Sequence, residues 1–208
     1  MNIYYIGGSP CSGKSTVAEA LCARYVLTYF KADDHLDAFT ARGAAEGLPV
    51  CQRIQRMSPE EIWMRPPHVQ CQEELDYYAE IAPFVMEKIN QLPTPVLAEG
   101  AAFLPSLMQA QGVPAERYIA IVPSEEFQIS RYRQRPWVPH ILQGCTAPDA
   151  AFSNWMARDV LFAQDVRSQC SRLGYPCLIT DGSVPPEARL AQVAAHFGLN
   201  PAVCQERA

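Results

Sequence analysis

The chain has 208 residues, a formal net charge of −5, and hydrophobic and charged fractions of 49% and 19%. A chain of this length and composition can bury the core of a globular protein. Its acidic balance, without a basic stripe, argues against a nucleic-acid-binding surface. No apolar run reaches the roughly 20 residues of a membrane span, and Gly7-Gly8 interrupts the first run too early for a signal peptide. The eight cysteines form no C-x-x-C pair, which argues against a zinc site and favours reduced thiols in a cytoplasmic protein.

Short apolar runs alternate with helical segments along the chain. The first run, residues 3–6, predicts a buried strand, and Lys14–Tyr25 predicts an amphipathic helix with Val17, Leu21 and Tyr25 on its apolar face. Four further strands are predicted at residues 28–32, 96–98, 118–122 and 177–180. Because helical segments separate these strands, right-handed βαβ units and a parallel sheet are expected, in a three-layer α/β/α fold.

A phosphate-binding loop separates the first strand from the first helix. Its two glycines, lysine and hydroxyl residue stand in the run Gly8, Ser9, Pro10, Cys11, Ser12, Gly13, Lys14 and Ser15, followed by Thr16. The glycines let backbone N–H groups turn toward phosphate oxygens, Lys14 can reach the β and γ phosphates, and Ser15 can offer its hydroxyl to Mg²⁺. The positive end of the helix dipole lies at the same place. The sequence therefore predicts a site for ATP with Mg²⁺.

Acidic residues follow the second and third predicted strands. Asp33 and Asp34 end the second strand, and Glu99 ends the third. The carboxyl ends of parallel strands meet at the edge of the sheet that binds ligands. A carboxylate there can accept the proton of a substrate hydroxyl as that hydroxyl attacks the γ phosphate, and Glu99 can instead hold the water shell of Mg²⁺. We expect the acceptor to bind at this edge, with helix capping as the alternative role for these carboxylates.

Arginines and a loop follow the fourth predicted strand. Arg131 and Arg135 are four residues apart, so they share one helix face and can neutralise charge on a transferring phosphoryl group. A solvated helix end is the alternative interpretation. Residues 136–148 are rich in proline and glycine and predict a mobile loop. We define residues 136–157 as the lid. After the fifth strand, a tight turn can contact a purine or simply lead into the last helix; it consists of Asp181, Gly182 and Ser183.

Residues 35–94 form a long insertion, which we expect to bind the acceptor. Ser58 begins a capping box for a short helix, and a longer helix is predicted over residues 68–92. The aromatic residues Trp63 and Tyr78 suit a ring on the acceptor, whereas an arginine fork suits a carboxylate or phosphate. Solvated arginines and a core tryptophan are the alternative. The candidate substrate-binding arginines are Arg53, Arg56 and Arg65.

These motifs resemble those of the small-molecule and nucleotide kinases of the P-loop superfamily, such as adenylate, shikimate and gluconate kinases and the chloramphenicol phosphotransferases. The run ADDHLDA, residues 32–38, is most similar to the last of these, in which the acid ending the second strand is the catalytic base. That role falls on Asp33, while the acid pair of shikimate kinases keeps Asp34 a candidate. The R-x-x-x-R pattern is similar to adenylate kinases, which implies that Arg131 packs on adenine and Arg135 contacts phosphate. The turn at residues 181–183 also looks like the purine loop of that family.

The resemblance implies a five-stranded sheet in the order 2-3-1-4-5, but it does not extend to the acceptor. The insertion does not match the nucleotide-monophosphate domain of adenylate kinases, and the lid lacks their zinc cysteines. The whole chain is most similar to bacterial proteins labelled only as kinases or ATPases. We therefore expect one kinase-like domain over residues 1–208 that phosphorylates a hydroxyl of a small molecule. A regulatory ATPase without an acceptor and a toxin-like kinase of a nucleotide sugar are the alternatives, and the sequence leaves the acceptor, the choice of ATP over GTP and the oligomeric state open.

Overall fold

The computed structural model describes residues 2–199, within which a five-stranded sheet is flanked by helices. Every neighbouring pair of strands is parallel, and the order is β2-β3-β1-β4-β5. The α/β class and the strand order implied by the resemblance are therefore confirmed. Of the eight cysteines, Cys204 lies outside the described residues. The strands are β1 (Ile3–Gly8), β2 (Thr28–Lys31), β3 (Val96–Glu99), β4 (Tyr118–Pro123) and β5 (Cys177–Thr180).

The helices include both predicted ones and others that the sequence did not predict. They are α1 (Lys14–Tyr25), α2 (Leu36–Ala45), α3 (Pro49–Ile54), α4 (Pro59–Trp63), α5 (Pro67–Asn90), α6 (Pro105–Ala110), α7 (Glu125–Arg133), α8 (Val138–Ile141), α9 (Pro148–Leu173) and α10 (Pro186–His196). The capping box of Ser58 is present at α4, whereas α2 and α3 were not predicted. Helix α8 lies in the segment interpreted as a loop, because Val138 and Leu142 pack into an apolar cluster with Trp155, and tertiary packing overrides weak local propensity.

Two apolar cores lie on opposite faces of the sheet. Tyr4 and Ile6 of β1 belong to the core beneath α1 and α10, whereas Ile3 and Tyr5 belong to the core beneath α5, α6 and α9. This alternation follows from the period of two along a strand, and burial on both faces is characteristic of parallel sheets. No helix within residues 2–199 combines the length and hydrophobicity that crossing a membrane requires.

The insertion packs against the helix that follows the lid loop. Helix α5 lies against α9, α2 and α3 lie against α5, and α4 also contacts α9. At the end of α4, Trp63 stacks on Trp155 of α9 with ring centroids 4.5 Å apart. Asn154 of α9 donates from Nδ2 to the Trp63 carbonyl oxygen at 3.1 Å. The insertion and α9 therefore form a continuous wall beside the carboxyl edge of the sheet.

Candidate active site

The loop between β1 and α1 is held in shape by neighbouring strands. Gly8 has a φ of 120°, and a Cβ at this position would lie 1.9 Å from the carbonyl oxygen of Ile121 in β4. Ser9 donates its N–H to the same oxygen at 3.2 Å. At the end of β5, Thr180 Oγ1 donates to the Ser12 carbonyl oxygen at 2.9 Å. The loop is thus fixed from two strands, and only glycine fits at position 8.

Lys14 is buried within this loop. Its Nζ donates to the Ser9 carbonyl oxygen at 2.7 Å. Burial lowers the pKa of Lys14, and the negative charges of Glu99 and Asp33 act in the opposite direction. The buried hydroxyls of Ser9 and Ser12 have no hydrogen-bond partner among residues 2–199. The first N–H groups of an α-helix also lack intrahelical acceptors, so this loop presents one cation and several donors to an anion.

Glu99 is fully buried at the end of β3, beside the first turn of α1. Its Oε1 accepts hydrogen bonds from Ser15 Oγ at 2.8 Å and from the Tyr29 hydroxyl at 3.0 Å. Its Oε2 has no partner within the described part of the chain. Burial raises the pKa of Glu99, although Lys14 and Ser15 lower it. A buried carboxylate oxygen left without a partner, next to the loop serine, fits a site for Mg²⁺, which prefers hard oxygen ligands.

Asp33 and Asp34 lie in a short 3₁₀ turn after β2, and both are exposed. Asp33 Oδ1 lies 3.5 Å from the position that a Cβ on Gly100 would occupy. Its carboxylate is therefore beside the end of β3, consistent with the pairing of Lys31 and Glu99 in the sheet. Asp34 instead pairs with Lys31, with 3.4 Å between Oδ1 and Nζ. Of the two acids, Asp33 is the one turned toward the neighbouring strand end.

Arg135 connects the lid to the phosphate-binding loop. Its Nη2 donates to Cys11 Sγ at 3.5 Å. Its guanidinium carbon lies 4.8 Å from the ring centroid of Tyr132 and 5.3 Å from that of Trp137. Cys11 itself packs against the apolar cluster that contains Tyr132. The lid therefore lies against the phosphate-binding loop in this conformation.

Arg131 is placed near the turn that follows β5. Its guanidinium carbon lies 5.0 Å from the ring centroid of Phe127, and a Cβ on Gly182 would lie 3.4 Å from the same ring. The turn is closed by Asp181 Oδ1, which accepts from the Ser183 N–H at 2.9 Å and from its hydroxyl at 2.6 Å. Phe127 thus lies between the first predicted arginine and the turn predicted to contact a purine.

Glu73, which the sequence analysis did not identify, binds two of the three candidate substrate-binding arginines. One of its carboxylate oxygens pairs with Arg53 and the other with Arg65. Burial by itself would raise the pKa of Glu73, but hydrogen bonds from Arg65 and Arg53 hold it below its ordinary value. Arg56 is exposed and has no ion-pair partner among residues 2–199. The charges of Arg53 and Arg65 are therefore paired, whereas that of Arg56 is not.

A second buried charge cluster lies on α9. Arg158 forms ion pairs with Glu74 of α5 and with Asp159, whose Oδ1 is 2.7 Å from Arg158 Nε. Its guanidinium carbon also lies 5.4 Å from the ring centroid of Trp63. Asp159 is fully buried, and burial raises its pKa while the charge of Arg158 lowers it. The cluster ties α9 to α5 of the insertion.

Besides a cavity of about 370 Å³ in the insertion, lined by Arg53 and Arg56, two cavities border these elements. One, of about 210 Å³, lies between the insertion and α9, and its lining includes Leu36, Trp63 and Tyr78. Leu36 begins the helix that directly follows the turn carrying Asp33, so this cavity is adjacent to the carboxyl edge of β2. The other, of about 890 Å³, is lined by residues 133–153 of the lid region, and no residue of the phosphate-binding loop lines it.

Comparisons with known proteins give the following result. The sequence matches no protein-family model and no curated protein. Among solved structures, a Thermus thermophilus protein is 18% identical at a TM-score of 0.48, over 95% of this chain and 97% of the other. A "putative kinase" from Chloroflexus aurantiacus is 18% identical at a TM-score of 0.40, over 93% and 97% of the two chains. At these scores neither similarity identifies an activity.

Proposed function

We propose that the protein transfers the γ-phosphoryl group of ATP to a hydroxyl of a small molecule. The acceptor oxygen forms the new bond to the γ phosphorus, the bond between that phosphorus and the β,γ-bridging oxygen breaks, and ADP leaves. The proton of the acceptor hydroxyl passes to a carboxylate at the carboxyl edge of β2. In phosphoryl transfer of this kind, the protein contributes mainly positioning and electrostatic stabilisation.

The hydrogen bond between Ser15 and Glu99 carries this proposal. It joins the hydroxyl of the phosphate-binding loop to a buried acid on the adjacent strand, whose other oxygen has no partner among the described residues. We assign Mg²⁺ to this point, where Ser15 and Glu99 would hold it or its water shell. When bound, the ion supplies positive charge to the β and γ phosphates. Lys14 and the loop residues 8–16 would hold the same phosphates.

The proposed roles of the remaining residues follow from their positions. Asp33 is the proposed base, because it faces the end of β3, whereas Asp34 is engaged by Lys31. Arg135 would move from Cys11 to the transferring group, and Arg131 would pack on adenine beside the turn at residues 181–183. The cavity lined by lid residues is not assigned to the nucleotide, since the phosphate-binding loop does not line it.

The two alternative functions make different demands on the region near Asp33. A regulatory ATPase needs no acceptor cavity there, so the cavity of about 210 Å³ favours a kinase. A kinase of nucleotide sugars needs room for a bulky acceptor. Ligand sites for drug-sized molecules typically measure roughly 300–1,000 Å³. A cavity of about 210 Å³ therefore favours an acceptor smaller than a nucleotide sugar.

The test is a screen of a metabolite library for ATP-dependent phosphorylation. The Lys14→Ala protein serves as the blank, because it should remain folded while losing phosphate binding. Transfer of phosphate from γ-labelled ATP to a small molecule by the wild type alone is the expected result. If ATP is hydrolysed at the same rate with and without every candidate acceptor, and no phosphorylated product forms, the regulatory ATPase becomes the better assignment.

A further inference from the structure

The charges of the side chains that line the cavity between the insertion and α9 sum to zero. Four ionised side chains line it, and each arginine pairs with one glutamate: Arg65 with Glu73, and Arg158 with Glu74. The exposed fractions of these side chains are 25% and 8% for the first pair and 12% each for the second, so solvent screens them little. Two positive and two negative charges leave the lining neutral.

Each of these charges has an ion-pair partner, although Arg65 Nε makes no hydrogen bond within the described residues. Glu73 also binds Arg53, and Glu74 also accepts a hydrogen bond from the Tyr78 hydroxyl at 3.2 Å. A carboxylate on the acceptor would have to compete with Glu73 for Arg65, and an ammonium group would have to compete with an arginine for a glutamate. Breaking a buried ion pair leaves an uncompensated charge and is strongly unfavourable.

Apart from Gln70, whose Oε1 is buried without a hydrogen-bond partner among residues 2–199, the rest of the lining is apolar or aromatic. Leu36 and Ile54 contribute aliphatic surface, and Trp63, Tyr77 and Tyr78 contribute rings. Trp63 is held in position by its stack on Trp155. The Tyr77 hydroxyl is 2.8 Å from Thr40 Oγ1, so its hydrogen-bonding capacity is engaged within the protein. A surface of this kind favours the burial of a hydrocarbon ring.

We propose that the acceptor is a compact, uncharged alcohol with a ring or branched hydrocarbon body, bound in this cavity with its hydroxyl directed to Asp33. The direction of the hydroxyl rests on the proposed kinase function, whereas the neutral ligand class follows from the charge balance and lining of the cavity. This differs from the anionic acceptor that an arginine fork predicts, because Arg53 and Arg65 are both already paired with Glu73.

The first experiment compares three matched probes that differ in charge: 4-methylbenzyl alcohol, 4-(hydroxymethyl)benzoate and 4-(aminomethyl)benzyl alcohol. Their dissociation constants are measured with the wild-type protein by ligand-observed NMR without ATP, so that binding is independent of turnover. We expect the neutral probe to bind about tenfold or more tightly than either charged probe, since a buried, uncompensated charge opposes binding. Equal or tighter binding of a charged probe, or no binding of the neutral probe, overturns the proposal.

The second experiment changes the charge balance. Glu73→Gln releases Arg65 from its partner and should raise the affinity of the benzoate relative to the neutral probe by about tenfold. The double variant Glu73→Gln, Arg65→Gln should return this ratio toward the wild-type value. If Glu73→Gln does not fold, Arg65→Gln alone should instead favour the ammonium probe. Unchanged ratios in variants that are folded by circular dichroism overturn the proposal.

Measuring phosphorylation of the alcohols with ATP distinguishes a failure of the proposed ligand class from a failure of the proposed kinase function. Selective binding of the neutral probe without phosphorylation of any alcohol in the presence of ATP would support the ligand class and contradict the kinase function. Preferential, ATP-dependent phosphorylation of an anionic alcohol would support the kinase function and contradict the ligand class.

Discussion

Gly8 shows how one residue determines the shape of the phosphate-binding loop. Its φ of 120° and the 1.9 Å between a Cβ and the Ile121 carbonyl oxygen exclude any side chain. We expect Gly8→Ala to lower the free energy of unfolding by more than about 4 kcal/mol, because β4 cannot move away. Gly47→Ala is the matched control, since Gly47 has a φ of 88° but no atom within 4 Å, and it should cost roughly 1–2 kcal/mol. Urea unfolding measures both, and equal losses would contradict the steric explanation.

Asp33 and Asp34 are adjacent in sequence but should differ in their effects on catalysis. Asp33→Asn should lower turnover by the roughly 10²–10⁴-fold typical of losing a general base, with little change in ATP affinity. Asp34→Asn should have a much smaller effect, since Asp34 pairs with Lys31 on the surface. Steady-state kinetics on the acceptor found by screening compares the two. Unimpaired turnover in Asp33→Asn would assign the base elsewhere, to Asp34 or Glu99.

The candidate site residues that the sequence singles out are those whose chemistry lies in a local pattern. The phosphate-binding loop, Asp33 and Glu99 each follow an apolar run, and that run locates the carboxyl end of a strand. Glu73 carries no such pattern, because its importance depends on Arg53 and Arg65 approaching it from elsewhere in the insertion. Its position on the same helix face as Gln70 and Tyr77, three and four residues away, was the available signal.

At the scale of elements, Glu60 of α4 hydrogen-bonds the lid loop, residues 136–148. Glu60 accepts from the Thr146 N–H at 2.7 Å with one carboxylate oxygen and from its hydroxyl at 2.8 Å with the other. Glu60→Ala should therefore loosen residues 136–148 and speed their cleavage in limited proteolysis. Glu19→Ala, on the exposed face of α1, is the control and should leave the cleavage rate unchanged. Equal rates in Glu60→Ala and wild type would mean that the apolar cluster alone holds the lid.

Glu73 also predicts how the insertion responds to acid. Its pKa is lower in the folded protein than the usual value of about 4.3 for an unfolded chain, so the native state binds fewer protons there. The resulting stability is present at neutral pH and is lost as the pH falls below about 5. In Glu73→Gln the free energy of unfolding should consequently depend less on pH in this range. Urea unfolding at several pH values tests this, and identical slopes in the two proteins would contradict it.

The elements themselves were predicted where hydrophobic periodicity was strong. The five strands and the helices α1 and α5 follow from it directly. Helix α8 was missed because its prolines indicate a loop, while the burial of Val138 and Leu142 against Trp155 stabilises the helical turn. Local sequence does not contain such contacts, which arise only when the lid packs on α9.

At the scale of the whole molecule, nucleotide binding should stabilise the fold. A ligand that binds only the native state contributes about 2.7 kcal/mol at 100 times its dissociation constant, and 1 kcal/mol raises the melting temperature of a chain this size by about 2–4 °C. ATP with Mg²⁺ should therefore raise it by several degrees, and Lys14→Ala should lose most of this shift. Thermal denaturation measures the effect. Equal shifts in both proteins would show that this loop does not bind the phosphates.

The contact between the lid and the phosphate-binding loop should control the reactivity of Cys11. Its thiol is half-buried beneath Arg135 and the apolar cluster, and burial raises its pKa, although the nearby arginine lowers it. Alkylation requires an accessible thiolate, so a maleimide should react with Cys11 faster when the lid moves away from the loop. The rate of labelling at this native cysteine, followed by peptide mass spectrometry, would therefore measure movement of the lid without a substitution in the chain.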